Sequence, residues 1–149
     1  MAFSDDSGGF AFSCTDAKMS IGASTWATRL SQISKATGEI LILTRGLPDI
    51  DYITKILDKR PRDIWIVAHA DSTAGAKALK AARPWLRIAV HHDIGAKAVL
   101  VAPDTVWVSS SDFGKAGKLE SGVGFHSTEL YIRTRSQLFE RAWAESHEL

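Results

Sequence analysis

Short apolar runs alternate along this chain with stretches in which apolar residues recur every third or fourth position. The first such stretch carries Trp26, Leu30, Ile33 and Thr37, with Ser24 or Thr25 as a cap and Gly38 as a stop. It predicts a helix over 25–37. "EILILT" (39–44) is β-rich and too short for a core helix. Pro48-Asp49 opens a helix over 49–58 whose face is Ile50, Ile53, Ile56 and Leu57. "DIWIVA" (63–68) reads as a buried strand, and Asp71 or Ser72 then caps a helix over 72–83 that Pro84 ends. "WLRIAV" (85–90) is a third strand. Crossovers one helix long favour a parallel arrangement of these three strands.

The pattern then changes. "AKAVLVA" (96–102) and "TVWVSS" (105–110), joined by Pro103-Asp104, read as an antiparallel hairpin. A loop rich in Gly and Lys (113–124) leads to "STELYIR" (127–133), read as another strand. "RSQLFERAWAES" (135–146) closes the chain as an amphipathic helix with Leu138, Phe139, Ala142 and Trp143 inside. Residues 1–20 show no clear period; "FAF" and "SIGAS" are at most short extended pieces of a peripheral segment. The expectation is one α/β domain over 1–149. Its mixed sheet is flanked by helices in the order β-α-β-α-β-β-β-β-α, with the hairpin 96–110 central.

Composition adds bounds. The chain has 149 residues, enough for one real core, with 45% hydrophobic and 23% charged residues, as in soluble globular proteins. The longest apolar run falls well short of a membrane span, so no membrane is expected as a partner. The start carries acidic residues and no apolar segment, unlike a secretory signal. The single cysteine, Cys14, has no internal partner, which points to a reducing cytoplasm with Cys14 a bystander. A net charge of +1 argues neither for nor against nucleic acid, so any such binding needs a local patch.

The hairpin carries the chemistry. Lys97 opens it, Ser109-Ser110-Ser111-Asp112 closes it, and Lys97 and Ser110 keep a spacing that resembles the phospholipase D superfamily. That family's signature is His-x-Lys, four residues, Asp, six residues, then Gly-Ser-x-Asn. Its single-motif nucleases also have strands and helices in this order, a Glu on the strand after the motif, and a closing helix like "LFERAWAES". The resemblance spans roughly residues 20–146 and implies the same fold. It also implies that Glu129, in "STELYIR", is the later Glu. The motif is incomplete here. Gly95 stands for the nucleophilic His, Ala102 for the Asp, Ser109 for Gly and Asp112 for Asn. In the family two such motifs meet across a two-fold axis, one His attacking phosphorus and the other protonating the leaving oxygen. Glycine does neither. What survives is Lys97 with Ser110, the part that holds phosphate oxygens by charge and hydrogen bonds, with Asp112 beside it.

Other residues have sharper and plainer readings. His92, in "HHD" (91–93), is a displaced nucleophile only if its loop is irregular, because its odd offset from Lys97 points the two side chains oppositely on a strand. A polar turn is the ordinary reading. His126, just before Glu129, is the better reserve base, against the ordinary reading of an edge histidine. His69 ends the second strand where open α/β sheets bind ligands. Lys115, Lys118, Arg133 and Arg135 form, with Lys97, a basic rim suited to a phosphate backbone, or a solvated surface. The five tryptophans fit core positions, apart from Trp107 beside the motif. No Cys or paired carboxylate completes a zinc set around the histidines, so neither metal nor cofactor is expected.

The first expectation is a catalytically degenerate phospholipase D-like domain that binds phosphate or nucleic acid, or acts as a regulatory interaction module. It would pair with itself across the motif. The alternative is a divergent, metal-independent phosphodiesterase or nuclease using His126 or His92. The second alternative is a pure protein–protein interaction module.

Overall fold

A computed structural model of the protein describes residues 2–22, 33–114 and 118–149. At its centre is an eight-stranded sheet in the order β1-β7-β6-β5-β2-β3-β4-β8. The strands are β1 (Asp16–Gly22), β2 (Ile40–Leu43), β3 (Ile64–His69), β4 (Arg87–His91), β5 (Ala98–Val101), β6 (Thr105–Ser109), β7 (Glu120–His126) and β8 (His147–Glu148). Helix α1 (Ile50–Leu57) joins β2 to β3, and α2 (Thr73–Ala82), entered through a 3-10 turn, joins β3 to β4. β2, β3 and β4 are parallel and every other pair is antiparallel. The β5–β6 hairpin lies in the interior of the sheet, as its apolar runs require. The helix expected over 25–37 falls largely outside the described residues; its last part, 33–35, is helical.

The strand period of two splits the sheet into two faces. Ile40, Ile42, Ile64, Ile66, Ile88, Val99 and Trp107 pack with Ile53, Ile56, Leu57 and Leu79 of α1 and α2. The alternate residues Leu41, Leu43, Val67, Leu100 and Val106 pack with Leu130, Tyr131, Phe139 and Ala142 from the C-terminal helical segment. Each such aliphatic side chain contributes about 1.5–3 kcal/mol when fully buried. The two layers of helix follow from strands that are apolar on both sides.

Two expectations fail together, and for linked reasons. "STELYIR" is no strand: α3 (Thr128–Thr134) begins there and continues through a π-helical turn (Arg135–Phe139) into α4 (Glu140–Ala144). The Ser127 hydroxyl accepts from the Leu130 amide at 3.1 Å, an N-cap, and Leu130, Tyr131 and Thr134 are buried at helical spacing. The cap outweighs the β-forming content of Tyr131 and Ile132. The fourth strand of the second half is instead β7, inside the stretch read as a Gly-rich loop. Its glycines mark close approach rather than a turn: a Cβ on Gly124 would lie 2.6 Å from Cε2 of Trp107, its cross-strand neighbour. The indole occupies the space a side chain would take. The overall order of elements survives, with the last strand shifted earlier in the sequence. The sheet also gains edges that the sequence pattern did not reveal. Residues 16–22, expected to be mostly peripheral, form β1 against β7, and the tail adds β8 against β4.

Salt bridges tie the outer elements. Arg83 holds Asp58 with two hydrogen bonds at 2.7 and 2.8 Å, linking the ends of α1 and α2. Those bonds hold the Asp58 carboxyl below its usual range. Its stabilisation is therefore fully present above the ordinary carboxylate range and is lost as pH falls below that range, through the lowered value. No helix among the described residues is long and apolar enough to cross a membrane.

Gly124→Ala should destabilise the protein by about 1–3 kcal/mol in urea unfolding, because the indole of Trp107 must move to admit a methyl group. A neutral result would show that the Trp107 ring is not fixed over β7.

Candidate functional site

Parallel strands β2, β3 and β4 end at one edge of the sheet, and β5 begins beside them, since Leu43 pairs with Ala98. Loops after strand ends at such an edge are where open α/β sheets present side chains. Lys97 lies here, one residue before β5. Its ammonium donates to the Ser110 carbonyl at 3.1 Å and lies 3.6 Å from Asp112 Oδ1. The side chain keeps 26% of its exposure, so the ammonium is held rather than buried.

Asp112 is fixed more firmly than a surface acid. Its Oδ1 accepts from the amides of Arg45 and Gly46, each at 3.0 Å, and lies 3.2 Å from the Thr44 hydroxyl. Thr44 is fully buried and accepts in turn from the Phe113 amide at 2.8 Å. The loop after β2 and the loop after β6 are thus closed on each other through one carboxylate and one hydroxyl. Asp112 both orients Lys97 and offsets its charge.

Ser110 is exposed, and its hydroxyl donates to Glu120, the first residue of β7. The same oxygen accepts from the Ser121 amide at 3.1 Å. The acid on the strand after the motif is therefore Glu120. Glu129, expected in that role, is an exposed residue in the first turn of α3, 3.8 Å from Arg133. Arg45 was also missed. It brings a half-exposed guanidinium to this edge, paired with Asp71 at 3.1 Å. A reading of "TRG" as the loop after a parallel strand would have found it.

Gly95 stands in the loop leading to Lys97, and a Cβ built on it meets nothing within 4 Å. No steric demand of the fold calls for glycine there. Ala102 lies past the other end of β5, with its amide on the Glu39 carbonyl at 3.1 Å. Ala102 is thus at the far end of the hairpin, away from Lys97.

The reserve histidines do not gather around Lys97. His126 ends β7 opposite Thr105, whereas Lys97 precedes Ala98, which faces Val108. About 13 Å of strand separates them. His126 instead pairs with Asp16 at 2.6 Å. His92 lies off the end of β4, three strand positions and about 14 Å across the sheet from β5. It is exposed, and its ring stacks on that of His91 at 4.7 Å. His91 and His69 are buried caps of β4 and β3: each Nδ1 accepts the amide two residues on, from Asp93 at 2.9 Å and Asp71 at 3.0 Å. The proton of each neutral ring therefore sits on Nε2. Among the described residues no group of three His, Cys, Asp or Glu could hold a metal ion.

The expected basic rim divides. Lys118 is exposed in the loop before β7, at the Lys97 end; Lys115 lies outside the described residues. Arg133 is 3.2 Å from Asp5 and stacks 4.1 Å over Phe10, so it anchors the N-terminal segment. Arg135 holds Glu39, just before β2 and at the opposite end of the sheet from Lys97. Trp107 is buried against Gly124. Cys14 is exposed and unpaired by any disulfide.

This sheet order, with its α-layers and interior hairpin, is a phospholipase D-like fold. The chain is similar to the phospholipase D family member Nuc from Salmonella typhimurium, with a TM-score of 0.72 and 18% identity over 90% of this chain and 99% of that one. NucT from Helicobacter pylori is similar at a TM-score of 0.65 and 15% identity, over 90% and 100%. TrmBL2, an archaeal chromatin protein with a described mode of DNA binding, is similar at 0.66 and 15%, over 89% of this chain and 54% of its own. No family model and no curated protein sequence matches the chain.

Asp112→Ala should cost about 1–3 kcal/mol in urea unfolding, since two backbone donors lose their acceptor. Asp112→Asn keeps an oxygen for those donors and should fold nearly as well, while freeing Lys97 from its counter-charge. Equal stability of the Ala variant would show that the staple contributes nothing.

Proposed function

We propose that this chain is a catalytically degenerate phospholipase D-like domain that acts as a phosphate- or nucleic-acid-binding or regulatory interaction module. The observation that carries this reading is the open space at Gly95, where the family's nucleophile would stand, beside a Lys97 that is still in place. Covalent phosphoryl transfer needs an atom to attack phosphorus, and positioning does not replace it. His92 and His126 lie too far from Lys97 to supply one. The residual chemistry is recognition. Lys97 can exchange the Ser110 carbonyl for a phosphate oxygen, with Arg45 and Lys118 at the same edge, and Asp112 keeps that binding weak. The DNA-binding chromatin protein among the similar structures supports nucleic acid as the ligand.

In this reading the domain pairs with itself through a two-fold axis near Lys97 and Ser110, because one chain carries half a site and a self-complementary patch completes it. Sedimentation at tens of micromolar, about the range for a weak interface of standard size, should give a dimer. A strict monomer would count against the pairing.

The function is tested by hydrolysis and binding on one protein. The wild type should not hydrolyse bis-p-nitrophenyl phosphate or DNA above background, with EDTA or with divalent metal. Gly95→His should fold without cost yet give little turnover, because Asp112 still offsets Lys97. A labelled oligonucleotide should bind weakly, lose affinity with rising salt, and bind less to Lys97→Ala. Robust turnover abolished by His126→Ala or His92→Ala would establish the divergent enzyme instead. No salt-dependent binding at all would favour the protein-interaction reading.

A further inference from the structure

Away from Lys97, on the sheet face covered by the C-terminal helix, a groove of about 280 Å³ opens between the sheet and that helix. Its floor is a cross-strand pair, since Leu41 pairs with Trp65. Its wall is aromatic. Trp143 meets Trp65 edge to face at 4.9 Å, and Phe139 stacks on Trp143 at 6.0 Å. The wall belongs to the helix where it takes its π-helical turn, with the Glu140 amide on the Arg135 carbonyl. Such turns insert a residue and re-aim side chains, and they recur at functional sites.

The rim is charged, and unequally. Arg135 donates to both oxygens of Glu39, at 2.7 and 3.2 Å, and to Glu140. One guanidinium between two carboxylates leaves a single negative charge. Outside the groove's lining, these two indoles already hold a cation: the Arg87 guanidinium lies 4.4 Å over the Trp65 ring and 5.7 Å from that of Trp143, balanced by Glu148 at 2.8 Å. Ring faces attract cations, and more so where water is partly excluded.

We infer that this groove is a binding site for an organic cation, an alkylammonium or guanidinium head that sits against Trp143 and Phe139 under the Glu39–Glu140 rim. The head is borne on a small molecule or on a side chain of a partner polypeptide. The site is separate from the Lys97 edge and does not depend on the function proposed for it.

The test follows the tryptophan indole N–H resonances in ¹H–¹⁵N spectra while tetramethylammonium chloride is added, with tert-butanol as a neutral probe and sodium acetate as an anionic one. The expected result is a saturable shift with the cation alone, with a dissociation constant on the order of millimolar. Glu140→Gln, at a half-exposed helical position, should weaken binding roughly three- to fivefold with an unchanged fold. Trp143→Phe keeps the packing and should weaken it further. A second arm compares tetramethylammonium with a short peptide containing arginine; tighter binding of one or the other assigns the source of the cation. Equal shifts with tert-butanol, or an affinity indifferent to Glu140→Gln and Trp143→Phe, would overturn the proposal.

Discussion

One oxygen of Asp112 holds the Lys97 edge of this sheet together. It accepts the Arg45 and Gly46 amides and so closes the loop after β2 against the loop after β6. Those loops frame Lys97, whose ammonium the same oxygen faces. The arrangement makes a structural bond and a functional charge inseparable. A carboxylate stabilises two amides better than a neutral acceptor does, because charge-assisted hydrogen bonds are the stronger kind. The same charge lowers the attraction of Lys97 for any anion. Loop stability and the pull of Lys97 on an anion are therefore opposed at one residue.

The two ends of the sheet consequently differ. At the Lys97 end, Ser110, Glu120, Asp112 and Arg45 form a network in which each formal charge has an opposite neighbour or a hydrogen-bond donor. At the opposite end, Arg135 and Glu39 join helix to sheet, and His126 pairs with Asp16 across β1 and β7. Basic residues that look contiguous in sequence are divided between these ends by the strands. Arg133 and Arg135 are spent on structure, and the cations left near Lys97 are few.

Much of this was legible in the chain. The parallel β2–β4 unit was readable because strands buried on both faces are continuous apolar runs, and the hairpin because Pro103-Asp104 interrupts one. What was not legible depended on partners distant in sequence. β7 reads as a loop until Trp107 is seen to fill the space above Gly124. α3 reads as a strand until Ser127 is seen to cap it. Lys97, Ser110 and Asp112 are legible through the resemblance of their spacing to the phospholipase D motif, which holds because they lie on one hairpin. Glu120 and Arg45 are not legible because their place beside Ser110 and Asp112 is set by strand pairing, and the resemblance points to Glu129 because the sequence pattern puts the last strand at 127–133.

If the proposed function holds, the scaffold of a phosphate site persists here without its chemistry. The most direct test is a single-turnover experiment, with protein in excess over an end-labelled oligonucleotide in EDTA, so that even slow cleavage is seen. The expected result is retention of the intact strand, weakly bound and released by salt, over the whole time course. Cleavage by the wild type that disappears in Lys97→Ala would contradict it.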